Sequence, residues 1–127
     1  MAADVIVGFP GEDEADFIQT LSVLKNSPVN KLHVFVFSPR PGTKAFEMPQ
    51  GNSKENRRRR DILLNFSEDR YLNSLKNMVG KRVEILWEKN NLGRTENYYI
   101  VSGNGLTNTI ENSLVRGVDS GTSQLLI

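Results

Sequence analysis

Arg40 stands between two prolines, in Ser38-Pro39-Arg40-Pro41-Gly42-Thr43. The prolines fix φ on either side of the arginine, and Gly42 permits a turn. A guanidinium held in this way is a fixed cation suited to a carboxylate or a phosphate. The plainer alternative is a solvated arginine on a rigid surface turn. Other chemistry is sparse. The chain has no cysteine and a single histidine, His33. That excludes disulfides and thiolate metal sites, and it leaves His33 without a partner at ligand spacing, so it reads as a packed strand residue. Glu12, Asp13, Glu14 and Asp16 crowd one turn after Gly11. Such acids complement a helix dipole and would repel a phosphate at the same place. Arg57 to Arg60 are four consecutive basic residues. At about 100° per residue they point all around a helix. They read as a solvated helix start, with a salt-sensitive contact to RNA phosphate as the functional alternative.

These residues need elements to hold them. Val5-Ile6-Val7 is a short β-branched run ending in Gly8, and Leu32 to Phe37 is a second, nearly all-apolar run ending in Ser38-Pro39. Apolar runs without polar alternation predict strands buried on both faces, as in a parallel sheet. Between them Phe17, Leu21 and Leu24 repeat at helical spacing, and Asn26-Ser27 and Pro28 stop the helix. Strand, helix, strand over about forty residues is a βαβ unit, whose site loops follow the strand C-termini.

Met48 to Asn52 reads as a linker. Ser53 then suits an N-cap for a long helix to about Met78, with Leu64, Tyr71, Leu75 and Met78 near one face. After Gly80 the period changes to two. Val83, Ile85 and Trp87 alternate with polar neighbours, and Thr95, Asn97, Tyr99 and Val101 repeat the pattern beyond a turn at Asn90 to Gly93. One of Tyr98 and Tyr99 is expected to pack in the core. Weaker strand patterns follow at Leu114 to Val118 and Gln124 to Ile127, after a polar stretch from Ser102 to Ser113. Short strands at this spacing predict a small antiparallel barrel.

Composition narrows the classes. A chain of 127 residues, 38% hydrophobic and 24% charged, is globular rather than disordered. No apolar run is long enough to span a membrane, and no basic region or apolar core follows Met1 as in a signal peptide. A cytoplasmic location is the expectation. The net charge of +1 is unevenly spread. Residues 1–50 are acidic and residues 51–127 are basic, as an RNA-contacting second half would be.

Gly8-Phe9-Pro10-Gly11-Glu12, Ser38-Pro39-Arg40-Pro41-Gly42-Thr43 and Gly93-Arg94-Thr95-Glu96-Asn97-Tyr98 resemble, in that order, motifs of the radical S-adenosylmethionine tRNA methylthiotransferases. The branch most similar is the one that thiomethylates threonylcarbamoyladenosine in tRNA. The resemblance covers most of the chain and implies the C-terminal part of a longer enzyme. Its fold class would be α/β followed by all-β. Residues 1–78 would end the radical (βα) barrel with a long helix, and residues 79–127 would form a small antiparallel, OB-like TRAM barrel. On this resemblance Gly8, Phe35, Ser38 and Arg40 lie on the S-adenosylmethionine side. Lys81, Arg82, Arg94, Asn97 and Tyr98 lie on the RNA side, contacting phosphate and a stacked base.

The family's 4Fe–4S clusters need a Cys-x-x-x-Cys-x-x-Cys motif, which a chain without cysteine lacks. No catalytic residue and no metal ligand is therefore assigned, and the piece is expected to be inactive alone. Expected partners are tRNA and the N-terminal part of the same enzyme, with dimerisation or swapping through exposed sheet edges. Alternatives are a non-catalytic RNA-binding module, or a branch acting on isopentenyladenosine tRNA or on a ribosomal protein.

Overall fold

Strand β1 (Ala2–Val7) and strand β2 (Lys31–Val36) pair in parallel, in register from Ala2 with Lys31 to Val7 with Val36. Helix α1 (Glu14–Lys25) connects them. Asp13 is its N-cap: the Asp13 carboxylate accepts from the Asp16 backbone N–H at 2.8 Å, and Asp16 accepts from that of Asp13 at 3.2 Å. This reciprocal capping box explains the crowded acids more specifically than the helix dipole does. A short helix α2 (Lys44–Glu47), absent from the sequence reading, follows the proline loop and is capped by Thr43. Helix α3 (Ser53–Lys76) is the longest element. The computed structural model describes residues 1–127, and they divide into two compact units, 1–70 and 71–127.

In the first unit, α1 and the upstream part of α3 cover one face of the strand pair. Val7, Phe17, Leu24, Val29, Leu32 and Leu63 form its core. The opposite face is open: Asp4, Ile6, His33 and Phe35 are all exposed. The expectation of strands buried on both faces is thus corrected, because only one layer of helix is present to cover two faces. His33 is corrected with it, since it faces outward beside Asp4, its register partner.

Two details of α3 also differ. Asn52, not Ser53, is the N-cap: its Oδ1 accepts from the Lys54 and Glu55 backbone N–H groups at 2.8 and 3.4 Å. The helix also buries Leu63 rather than Leu64, which is 43% exposed. The buried stripe reads Arg59, Leu63, Ser67, with polar residues at two of three positions. Each has a specific partner, which for Arg59 is the Glu12 carboxylate at 3.3 Å. Ser67 Oγ accepts from the Leu32 backbone N–H at 2.8 Å, and the Arg70 guanidinium donates to the carbonyls of Leu24, Lys25 and Ser27, binding the end of α1.

The second unit is a six-stranded sheet. It comprises β3 (Arg82–Trp87), β4 (Leu92–Thr95), β5 (Ile100–Ser102), β6 (Ile110–Leu114), β7 (Gly117–Asp119) and β8 (Gln124–Leu126), in the order β6-β3-β4-β5-β8-β7. Asn90 and Asn91, both at positive φ, turn β3 into β4. Val83, Ile85 and Trp87 point inward, as their alternation predicts, and join Leu75, Tyr99, Val101, Val115 and Leu125 in the core. The sheet is mixed rather than wholly antiparallel, since β5 pairs with β8 in parallel. It is an open sheet with β6 and β7 at its ends. The single strand expected from Arg94 to Val101 is two strands joined by a turn. Tyr98 adopts φ +64° there, and its N–H donates to the Thr95 carbonyl at 2.9 Å.

Trp87 is 1% exposed and lies beneath a glycine-rich loop. A Cβ on Gly105 would come within 2.0–2.1 Å of three indole atoms, one on Gly103 within 2.6 Å, and one on Gly93 within 3.0 Å of the same ring. Glycine at these positions lets backbone lie directly on the indole.

Candidate functional site

The loop after β1 is held from within the chain. Gly8 has φ +81°, and a Cβ there would collide with the Asn56 side chain at 2.5 Å. The positive φ favours glycine, and the Asn56 side chain fills the space a Cβ would take. The Gly8 backbone N–H donates to Glu12 Oε1 at 3.1 Å. The same carboxylate receives Arg59 Nη1 at 3.3 Å, and Nη1 also donates to the Glu12 carbonyl at 3.2 Å. Arg59 lies over the Phe17 ring at 5.7 Å and is nearly buried. A buried charge needs such partners. Arg59 is therefore a structural clamp on the loop, a role hidden in the sequence by its three arginine neighbours.

Those neighbours are also engaged. Arg58 bridges Glu14 and Glu55 at 2.6 and 3.0 Å, and Arg60 pairs with Asp61 at 3.2 Å. The hydrogen bond from Arg58 lowers the Glu55 carboxyl below its usual range. The reading as a solvated helix start holds for Arg57 and Arg58, which are exposed, and is corrected for Arg59, which is buried.

Two cavities flank the end of β2. One, of about 480 Å³, has a floor of Ile6, Phe35, Val36 and Phe37 and a rim of Ser38, Arg40 and Thr43. It brings together three of the four predicted cofactor-side residues, Phe35, Ser38 and Arg40. Phe35 is 53% exposed, on the open face. Arg40 makes no ion pair within the chain; its carbonyl accepts from Thr43 Oγ1 at 2.8 Å, which ties down the loop. Gly8, the fourth, lines a separate cavity of about 450 Å³ with Val36, Phe37, Asn56, Arg57 and Arg60. Phe37 packs edge-on against Phe9, with ring centroids 5.4 Å apart, and so ties the two loops together.

In the second unit the five predicted RNA-side residues separate. Arg94 and Tyr98 line a cavity of about 350 Å³ with Leu86, Ile110, Glu84, Glu88 and Glu96. Arg82 and Asn97 line another, of about 290 Å³. Lys81 lines neither. Tyr98 is 78% exposed at the turn between β4 and β5, whereas Tyr99 is buried against Tyr71, with centroids 5.8 Å apart. Burial raises the Tyr71 phenol above its ordinary value. Arg94 pairs with Glu88 at 3.1 Å, and Arg82 donates to Asn112 Oδ1 at 3.2 Å. The sequence reading overlooked Glu84, Glu88 and Glu96, which make this face mixed in charge. An exposed aromatic beside arginine can stack a base and hold a phosphate. The exposed Arg94–Glu88 pair is worth about 0–1 kcal/mol, so a phosphate can displace the carboxylate at little cost.

No family model matches the chain. Curated proteins do. It is 36% identical over 105 residues to the threonylcarbamoyladenosine tRNA methylthiotransferase MtaB of Thermotoga maritima, covering 79% of this chain and 24% of that protein. It is 42% identical over 89 residues to a tRNA-2-methylthio-N(6)-dimethylallyladenosine synthase of Oleidesulfovibrio alaskensis, covering 69% and 19%. A probable threonylcarbamoyladenosine tRNA methylthiotransferase of Methanocaldococcus jannaschii is 38% identical over 103 residues, with 80% and 24% covered. The chain spans 19–24% of the length of these relatives.

Proposed function

From the relation of this chain to a segment of the tRNA methylthiotransferases, we propose that it is the C-terminal part of such an enzyme, acting on an adenosine next to the anticodon. The observation that carries the reading is one similarity running through both units, 1–70 and 71–127. In this reading the first unit ends a radical (βα) barrel, and the open face bearing Asp4, Ile6, His33 and Phe35 packs against the rest of that barrel. The second unit is the TRAM domain and docks tRNA. The modified base is the threonylcarbamoyl form, by the Thermotoga and Methanocaldococcus relatives. The dimethylallyl form is the alternative, favoured by relatives of that name at comparable identity.

The residues at the end of β2 fit S-adenosylmethionine: an apolar floor suits an adenosyl group, and Ser38 and Arg40 offer a donor and a fixed cation for a carboxylate. When bound, that cofactor supplies a methyl group and radical chemistry. These residues would bind and orient it: Phe35 would offer an apolar surface to the adenosyl group, Arg40 would pair with the carboxylate, and Gly8 with Glu12 and Arg59 keeps the neighbouring loop in place. The 4Fe–4S clusters do not fit here. There is no cysteine, and no group of three His, Asp or Glu side chains is placed to hold a metal. On this reading the chain is inactive by itself, and it contributes part of the cofactor site and the tRNA-docking domain.

The test is tRNA binding by this chain across a salt series, with Arg94→Ala/Tyr98→Ala in parallel. Binding should weaken as salt rises, and the double substitution should weaken it further and reduce the slope of log affinity against log salt by about 1. A folded chain that binds no tRNA at low salt overturns the docking assignment.

A further inference from the structure

We propose that Arg57 and Arg60 form a phosphate clamp on the first unit, which grips one backbone phosphate of the RNA substrate next to the cofactor cavity. This rests on the tRNA reading above and adds to it a contact that does not belong to the second unit.

The four arginines of α3 are not equally used. Arg59 is buried against Glu12, and Arg58 is held between Glu14 and Glu55. Arg57 and Arg60 remain. They stand three residues apart and so share one side of the helix, with Cβ atoms about 5–6 Å apart. Both line the cavity of about 450 Å³ that Gly8 also lines. Arg57 makes no ion pair. Its Nε donates to the Ser53 carbonyl of its own helix at 3.4 Å, which leaves both Nη groups for a ligand. Arg60 pairs with Asp61 at 3.2 Å, but both side chains are exposed. A solvated pair of this kind gives way to a phosphate at little cost.

The rest of the lining decides the sign of the ligand. Gln50, Ser53 and Asn56 are neutral and polar, and no Asp or Glu lines the cavity. The cavity of Arg94 and Tyr98, by contrast, carries Glu84, Glu88 and Glu96. An anion entering the first-unit cavity meets two guanidinium groups and no carboxylate. Two planar forks match the oxygens of a phosphodiester. The helix terminus is not what binds, because Asn52 Oδ1 already accepts from the Lys54 and Glu55 N–H groups.

Position selects RNA as the source of the phosphate. Val36 and Phe37 line both this cavity and the one that fits the cofactor, so the end of β2 is a wall between the two. A phosphate gripped on one side of that wall keeps a neighbouring nucleotide close to the other side. Such a contact reads no base. It fixes the register of the strand and leaves base choice to other residues.

The test uses the whole chain and an anticodon stem-loop RNA, with affinity measured across a salt series. Arg57→Gln/Arg60→Gln should weaken binding about tenfold and lower the slope of log affinity against log salt by about 1. Glutamine is as good a helix former as arginine, and neither side chain is in the core, so the urea midpoint should not move. Arg57→Lys/Arg60→Lys should keep the slope and still lose affinity, since ammonium groups carry the charge without the fork. Lys25→Gln/Lys31→Gln removes as much charge near the start of β2 and should leave affinity and slope unchanged. Unaltered binding by Arg57→Gln/Arg60→Gln overturns the clamp alone; second-unit docking is read separately from Arg94→Ala/Tyr98→Ala. An equal loss from Lys25→Gln/Lys31→Gln overturns it as well, because general charge would then suffice. Inorganic phosphate that binds through Arg57 and Arg60 without competing with the RNA overturns RNA as the source. A folded chain that binds no RNA at low salt overturns the tRNA reading and the clamp together.

Discussion

Gly105→Ala tests whether the loop over Trp87 is held as tightly as its distances say. The added Cβ would sit 2.0–2.1 Å from three indole atoms, where about 3.5–4 Å is the contact optimum. The ring has little room to retreat, because Gly93 and Gly103 press on it as well. Overpacking alone costs about 1–3 kcal/mol. The remaining relief is to lift the loop, which returns part of the indole to water. Burial of a whole tryptophan side chain is worth about 5 kcal/mol by area. Partial lifting plus strain gives an expected loss of about 3 kcal/mol. Trp87 is the only tryptophan, so its fluorescence reports both effects. The emission should shift to the red in the folded variant, and the urea midpoint should fall by about 2 M for a small unit. Gly117→Ala is the control: its Cβ would meet only Leu126 at an ordinary 3.8 Å, and the change should stay within about 0.5 kcal/mol. A Gly105→Ala midpoint equal to that of the control would refute the packing argument.

Arg59→Met should destabilise the first unit by about 3–5 kcal/mol, because it strands the Glu12 carboxylate and empties the space over Phe17. Adding Glu12→Gln should recover part of that loss in a double-mutant cycle followed by denaturant titration. Tyr71 supplies a pH prediction. Its phenol is raised above the usual value by burial, so the folded state holds the proton longer than the unfolded state. Stability from this source is intact below about pH 10 and is lost as pH rises through the folded value. Melting temperatures of the unmodified chain and Tyr71→Phe should therefore run parallel up to about pH 9, and that of the unmodified chain should fall relative to the variant above about pH 10.

Legibility in the sequence followed a simple rule. Where the residue types matched the burial, the elements could be read: Val83, Ile85 and Trp87 face inward as their alternation says, and Phe17 and Leu24 as theirs does. Where a polar side chain was buried with its own partner, the pattern misled. Arg59 and Ser67 occupy the inner stripe of α3, so an apolar count chose Leu64 over Leu63. The alternation through Asn97 continued across a turn, because Thr95 Oγ1 accepts the Tyr99 N–H at 3.1 Å and closes it, a bond no periodicity encodes. β6 was passed over because an edge strand with both sides wet has little apolar signature. At the end of β2 the loop itself was legible: prolines and glycine marked the segment that carries Ser38 and Arg40 into one cavity. Invisible were the clamp from Arg59 and the acids that share the face of Arg94.

The placement of β8 bears on how the chain is made. The strand lies between β5 and β7, not at an edge, and buries Leu125 completely. On a ribosome, β3 to β6 emerge first and can pair as they appear, but β7 emerges with no neighbour. It waits until residues 124–126 arrive to bridge it to β5. At about 5–20 residues per second the delay is short, yet throughout it the Val101 side of the sheet stays wet. A cut ahead of residue 124 would leave the sheet lacking an interior strand, whereas a cut at β1, which lies in the other sheet, would spare it.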